Sequence, residues 1–441
     1  MTPQESMEKD KTLAIHGGQP VRTEPLPLEF PGVYRMGAEE EDAVLRVMRS
    51  RSLFRYYGLD PQREAASLEK EFAAYLGVRH AAAVSSGTGA LHVALGALGV
   101  GPGQEVIIPA YLWVSIVDAV VNRGAIPIIA DIDETFCLDP ADVARKITPR
   151  TSGIILIHMS GAPGNAPEIV KLARERGLWV VEDCAQCAAG AIGDKKAGSF
   201  GDMAIFSFQL NKNMTSGEGG CVATNDTRLY RRATACHDLG YPRNDEGRMV
   251  LDDSDMWLWG MGYRMDELRA AVLRVQLAKL PEATGAMRRS KQRVRAAIEK
   301  FGCVGLRRIM DPAGDTGAFL ITTYKNPATA AKVRDALRAE GIRPGPGGVS
   351  NILMTEWGLH LYYNNRSLLK RASIDGKGFP WNLPANAEAP TDYGKGLCPA
   401  ADDLFERTLL LAIPSCLTTT DEDEIIAAFE KVLSALEAGK L

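Results

Sequence analysis

The sequence predicts an α/β fold: a large domain built on a mostly parallel, doubly wound sheet, followed by a smaller α+β domain at the C-terminal end. Three observations carry this. Seven short apolar, β-rich runs (HAAAVSS, EVIIPA, AIPIIADI, GIILIHM, LWVVEDC, MAIFSF and CVAT) recur between residues 80 and 224. Up to LWVVEDC they alternate with segments of helical period such as TGALHVALGAL, VSIVDAVVNR and APEIVKLARER. Strands that are apolar along most of their length must be covered on both faces, which calls for helical crossovers and parallel neighbours. After about residue 300 the pattern changes to VGLRRI, AFLITTYK, TAAKVRDALRAEGI and DEDEIIAAFEKVLSALE, which reads as α+β.

Residues 1–35 carry prolines and no clear period, and read as an N-terminal arm. GAEEEDAVLRVMRSRS has acids in its first turn and arginines in its last, which complements a helix dipole. PQREAASLEKEFAAYLGV follows as a second helix, with Ala65, Leu68, Phe72 and Leu76 on one face and Gly77 as its stop. Beyond the strands, YRMDELRAAVLRVQLAKL and ATGAMRRSKQRVRAAIEKF read as helices of a connecting spine. The large domain is placed at 36–285 and the small one at 286–441. Within the latter, 344–400 is rich in Pro, Gly, Asn and aromatics without periodicity, which suggests a substrate lid or a dimer contact.

At 441 residues, with 46% hydrophobic and 24% charged residues, the chain suffices for two domains with sizeable cores. A net charge of -4 without a Lys/Arg block argues against nucleic acid as a partner. The start MTPQESMEKDK lacks an apolar leader region and no run approaches the roughly 18 residues that span a bilayer, so a cytoplasmic protein without a membrane partner is expected. Cys184 and Cys187 form a CxxC without the second ligand pair of a zinc site, and the six histidines show no HxH or HxxxH pair. No metal is expected.

Three stretches carry chemistry. SSGTGALHVAL puts a Ser/Gly/Thr turn at the start of a helix, a donor set suited to a phosphate and equally to an ordinary N-cap. VVEDCAQ ends a buried strand on Asp183, whose carboxylate needs either a cationic partner or backbone N–H groups. SFQLNKNMTSGEGG places Lys212 on a polar loop after MAIFSF, where a desolvated amine could attack a carbonyl carbon. Together, at the carboxyl edge of one sheet, these match the needs of pyridoxal 5'-phosphate. Ser86, Gly87, Thr88, Gly89 and Ser207 suit the phosphate, Asp183 the pyridine nitrogen and Lys212 the aldehyde. Trp113 could stack on the ring or simply fill a core.

EKEFAAYLGVRHAAAVSSGTGALHVALGALGVGPGQEVIIPAYLW, VVEDCAQ, GSFGDMAIFSF with its following lysine and TSGEGG, and YRMDELRAAVLRVQLAKL resemble the DegT/StrS-type aminotransferases in text, order and spacing. The resemblance runs from about residue 35 onward. It implies a fold-type I pyridoxal phosphate enzyme, a homodimer with its active site at the subunit interface. It also implies that Lys212 is the Schiff-base lysine, Asp183 the partner of the pyridine nitrogen, Gln186 a neighbour of the ring hydroxyl and Trp113 the stacking aromatic. Thr88, Gly89 and Ser207 would hold the phosphate.

Relatives that dehydrate sugars carry histidine where Lys212 stands, so the lysine favours transamination from L-glutamate or L-glutamine to a keto-sugar. Family acceptors include nucleotide-linked keto-hexoses, free keto-cyclitols and octulosonate-type sugars; FRYYG, DIDETFCLDP and DPAGDTGAF resemble the last group. Trp357, His360, Tyr362, Tyr363 and Arg366 are candidate acceptor contacts or packing aromatics of the small domain. One departure stands out: GMGYRM has Gly262 where the family usually has an Asn that reaches the neighbouring subunit's phosphate, a loss of about 1 kcal/mol or more. Other readings are a lyase, oxidase or dehydratase on the same scaffold, or a non-catalytic cofactor-binding relative.

Overall fold

The first helices form where the sequence places them: α1 (Ala38–Ser50), with Glu39, Glu40 and Glu41 in its first turn, and α2 (Glu64–Leu76), which ends on Gly77 at φ +75°. That left-handed C-cap is the conformation glycine adopts without strain. The structure is a computed structural model and describes residues 12–244, 246–251, 257–374 and 376–441. The start MTPQESMEKDK lies outside the described residues.

The large sheet holds seven strands, β1 (His80–Val84), β2 (Glu105–Pro109), β3 (Ile126–Ala130), β4 (Thr151–Ile157), β5 (Trp179–Asp183), β6 (Met203–Ser207) and β7 (Gly220–Thr224), in the order β1-β7-β6-β5-β4-β2-β3. From β3 through β6 all neighbours are parallel, while β7 runs antiparallel to both β6 and β1. The reversal follows from the connection. Residues 208–219 contain no helix to carry the chain across a face, so it returns directly beside β6. Helices α3 (Gly87–Leu98), α4 (Val114–Asn122), α5 (Pro140–Lys146), α6 (Ala166–Glu175) and α7 (Thr227–His237) accompany these strands. Ile108, Val181 and Ile205 share one core with Leu91, Leu95 and Ile116, whereas Ala204 and Phe206 join Leu68, Phe72 and Leu273 in another.

The spine differs from the sequence expectation. Its two segments are one helix, α8 (Glu267–Ile298), running through Pro281 and across the division drawn at residue 285. An interior proline costs about 3 kcal/mol, but Leu280, Ala283 and Met287 are all buried around it, and that packing carries the helix through. The smaller sheet is antiparallel, with β8 (Gly305–Leu306), β9 (Phe319–Thr323), β10 (Ile352–Leu353) and β11 (Thr408–Ala412) ordered β8-β9-β11-β10. Helices α9 (Pro327–Ala339) and α10 (Thr419–Glu437) pack on it through Val333, Leu337, Ile425 and Phe429.

The arm straps both sheets together. Leu13 and Leu26 are buried in the core of the smaller sheet, and Arg22 pairs with Asp421 at 2.7 Å. Further along, the Gly32 N–H donates to the Lys212 carbonyl at 3.1 Å. The irregular 344–400 region also has fixed attachments. Tyr362 N–H donates to Ala110 O, Leu112 N–H to His360 O, and the Tyr393 hydroxyl to Pro127 O. This stretch therefore lies along the β2 and β3 side of the large sheet in the same chain.

Candidate active site

Lys212 sits on a loop held shut at its neck and tied down at its middle. The Phe208 N–H donates to Gly219 O at 2.8 Å, and the Thr215 hydroxyl donates to Phe208 O at 3.0 Å. Asn213 donates to Ala188 O, while Gln276 of α8 accepts the Thr215 N–H and donates to buried Glu40 at 2.8 Å. The half-buried lysine side chain enters a cavity of about 760 Å³ at the carboxyl ends of β4, β5 and β6. Burial lowers the Lys212 ammonium below its ordinary range, and the charge of Asp183 opposes the shift.

Asp183, at the end of β5, is buried and lines the same cavity. Desolvation pushes its carboxyl up to about 6, against the Ala185 N–H at 2.9 Å and the charge of Lys212. Behind it, His158 Nδ1 accepts the Gly164 N–H at 3.1 Å, so the proton lies on Nε2, which donates to Glu182 at 2.8 Å. Glu182 also accepts the N–H groups of Gly198, Phe200 and Gly201.

The Ser/Gly/Thr turn stands against the end of β6. A Cβ on Gly87 would lie 2.6 Å from the Ser207 Cβ, so only glycine lets the start of α3 come this close. The Ser86 hydroxyl caps the helix by accepting the Gly89 N–H at 2.9 Å, which commits that donor. The N–H groups of Gly87 and Thr88 have no preceding turn of helix to serve, and both residues line the cavity with Ser86 and Ser207. A turn of free N–H groups and hydroxyls, an anion and an amine on one wall each are what a phosphorylated pyridine aldehyde requires.

Trp113, the residue before α4, is 45% exposed, and its surface opens into the cavity. Of the five candidate acceptor contacts, the structure brings Trp357 and His360 to the cavity. The His360 ring lies between the two indoles, 4.9 Å from Trp113 and 4.6 Å from Trp357 by centroids. Its Nδ1 faces Trp357 O and its Nε2 faces the Gln186 amide nitrogen at 3.3 Å; burial pushes its pKa down to about 3. The other three fall outside. Tyr362 is buried on Asp402, Tyr363 packs against Tyr362 and Phe405, and Arg366 is exposed on the helix Arg366–Leu369. Sequence reasoning missed Glu29, Phe30 and Pro31, which the arm delivers to the cavity from well before the strands that form it.

Residues 35–345 match the DegT/DnrJ/EryC1/StrS aminotransferase family. The chain belongs to this family. DegT-type members similar to it over nearly its whole length include the L-glutamine:2-deoxy-scyllo-inosose aminotransferase of Streptomyces lividus, 33% identical over 96% of this chain and 98% of that one. The GDP-perosamine synthase of Caulobacter vibrioides is 37% identical over 90% and 96%. Among solved structures, 3-amino-5-hydroxybenzoic acid synthase superposes with a TM-score of 0.71 at 28% identity, covering 92% of this chain and 97% of that one. As a DegT family member the chain is an aminotransferase that works with pyridoxal 5'-phosphate on a fold-type I scaffold. No helix among the described residues is long and apolar enough to cross a membrane.

Proposed function

We propose that the chain moves an amino group from L-glutamine or L-glutamate to a keto-sugar or keto-cyclitol, with Lys212 and Asp183 as its catalytic pair. The observation that carries this is their shared cavity, where burial weakens the lysine's hold on its proton while the carboxylate stays beside it. Pyridoxal phosphate supplies, when bound, an aldehyde carbon and an electron-withdrawing ring that make amino-group transfer possible. Lys212 is the residue to bond that aldehyde and, once released, to carry a proton between donor and acceptor carbons. Asp183 would face the ring nitrogen as an anion, and Gln186 would lie beside the ring hydroxyl. The N–H groups of Gly87 and Thr88 and the Ser86, Thr88 and Ser207 hydroxyls serve the phosphate, with Gly89 committed to the helix cap. Trp113 offers the flat face.

The acceptor class is supported by the named activities of the two relatives above, one on a keto-cyclitol and one in the making of a nucleotide-linked amino sugar. A homodimer is part of the proposal, supported by the exposed side chains of Tyr57, Leu59 and Trp259 on loops beside α1 and α7. A cytoplasmic location is supported by eight cysteines, all unpaired. The test is mass spectrometry of products after incubating cofactor-loaded protein and L-glutamine with 2-deoxy-scyllo-inosose and with nucleotide-linked 4-keto-hexoses. Amination of at least one is expected. Turnover of donor well beyond one equivalent per active site without any aminated acceptor would favour a lyase or oxidase instead.

A further inference from the structure

Arg307 follows β8 in the small sheet and is 98% buried, yet among the described residues no carboxylate meets its guanidinium. Its donors go instead to the large domain's backbone: Nε to Thr135 O at 2.7 Å, Nη1 to Ser160 O at 3.3 Å and Nη2 to Ala162 O at 3.4 Å, with the Cys137 sulfur at 3.6 Å. Burying this charge for the sake of three carbonyls is costly unless the segment it holds matters.

The segment held is itself unusual. Ser160 stands at φ +54°, ψ +38°, a left-handed conformation rare for a residue with a side chain. It is fully buried and every polar group it has is used. Its carbonyl receives Arg307, its hydroxyl meets the Tyr111 hydroxyl at 2.9 Å, and its N–H donates to Gln186 Oε1 at 2.9 Å. That last bond fixes which way the Gln186 amide faces, turning its NH2 toward His360 and the cavity. An amide without it could flip. The neighbouring Gly161 carbonyl accepts the Thr316 N–H at 2.9 Å, so the small domain grips the turn twice.

We propose that Arg307 is a positioning residue: by holding Ser160 in its left-handed turn, it fixes the Gln186 amide at the cavity wall and so tunes the cofactor site from the opposite domain. The inference rests on the proposed place of Gln186 beside the ring hydroxyl. It makes a specific demand on genetics. If Arg307 serves to hold a strained backbone, glycine at 160, which adopts that conformation freely, removes the need for it.

The experiment compares Arg307→Met, Ser160→Gly and the double variant in full-length protein. It measures the cofactor dissociation constant by titration of the apoprotein and the pH midpoint of the bound cofactor's visible absorbance. Arg307→Met should weaken cofactor binding roughly tenfold. It should also raise the absorbance midpoint, because a lost donor to the ring oxygen leaves a more basic neighbour for the protonated nitrogen. Ser160→Gly should stay within about threefold of wild type, and the double variant should return to that level. Arg307→Met that is insoluble alone and soluble with Ser160→Gly supports the same conclusion. Should both be insoluble, Arg307→Lys, with one donor point in place of a fork, should show a smaller defect that Ser160→Gly relieves. A defect that Ser160→Gly does not relieve, or an Arg307→Met protein with unchanged affinity and midpoint, overturns the inference alone. A wild-type protein that takes up no cofactor overturns the proposed function and the inference with it.

Discussion

Lys212 and Asp183 line one cavity at the ends of adjacent parallel strands, and burial moves their proton affinities in opposite directions, the ammonium down and the carboxyl up to about 6. Each charge partly offsets the other's shift. The pair is thus held where neither charge is well solvated, and a ligand carrying one cationic and one electrophilic group satisfies both at once.

The first prediction concerns the apoprotein. Asp183 binds its proton more tightly folded than unfolded, from an ordinary value of 3.8 to about 6. Its contribution to stability is therefore full below about pH 4 and is lost as pH rises through 6. Asp183→Asn should abolish that loss, leaving the variant apoprotein more stable than wild type at pH 8 by up to about 3 kcal/mol and little different at pH 4. Urea melts at the two pH values check this. The same variant should bind cofactor more weakly, since the anion opposite the ring nitrogen is gone.

Lys212→Ala should eliminate turnover, with a fall of at least about a thousandfold, and remove the visible absorbance that marks covalent attachment of the cofactor aldehyde. Because the loop is fixed by Thr215, Asn213 and its neck rather than by the lysine side chain, the fold should survive. Circular dichroism and single-turnover assays on the purified variant separate the two outcomes. A variant that retained catalytic transfer would refute the assignment of Lys212.

The strand ends that carry these residues were legible in the sequence because buried parallel strands announce themselves as apolar runs, and a lone Asp or Lys at their close stands out. The Lys212 loop was legible through its glycines. By contrast, β7 lay hidden as an antiparallel strand because residue composition carries direction only through the connection before it. The two helical segments of the spine are one because the buried faces of α8 carry it through Pro281. Arg307, Ser160 and Glu29 were invisible for a different reason. Each acts through contacts far along the chain, and a left-handed serine has no sequence signature of its own. His360 could be singled out as an aromatic-flanked histidine, but only the pairing of 360–362 with 110–112 brings it to Gln186.

Glu182 gives a third prediction. Fully buried next to Asp183 in sequence, it accepts four donors: the His158 Nε2–H and the N–H groups of Gly198, Phe200 and Gly201. Each carboxylate oxygen accepts two of those donors, so Glu182→Gln keeps the shape but turns an NH2 toward two of them, stranding all three groups. The protein should lose about 2–4 kcal/mol, read as an earlier thermal transition. Freed from its partner, His158 no longer holds a fixed orientation beside Asp183, so cofactor affinity should also drop.

The last prediction tests the departure at Gly262. Its φ is +68° and a Cβ there would meet nothing within 4 Å, so a side chain would extend into open space. Asparagine tolerates the left-handed region better than other residues with a side chain, and its N–H would still donate to Asp238 O at 2.9 Å. Gly262→Asn should therefore fold, with a stability cost of no more than about 1 kcal/mol. In the proposed homodimer, with this segment against the partner's cavity, the new amide should add a donor to the phosphate and tighten cofactor binding several-fold, worth about 1 kcal/mol. Cofactor titration of the variant and wild-type apoproteins measures the difference. Equal affinities would mean that the segment around Gly262 does not reach a phosphate in this protein, and that the turn at Gly87 and Thr88 holds it without help.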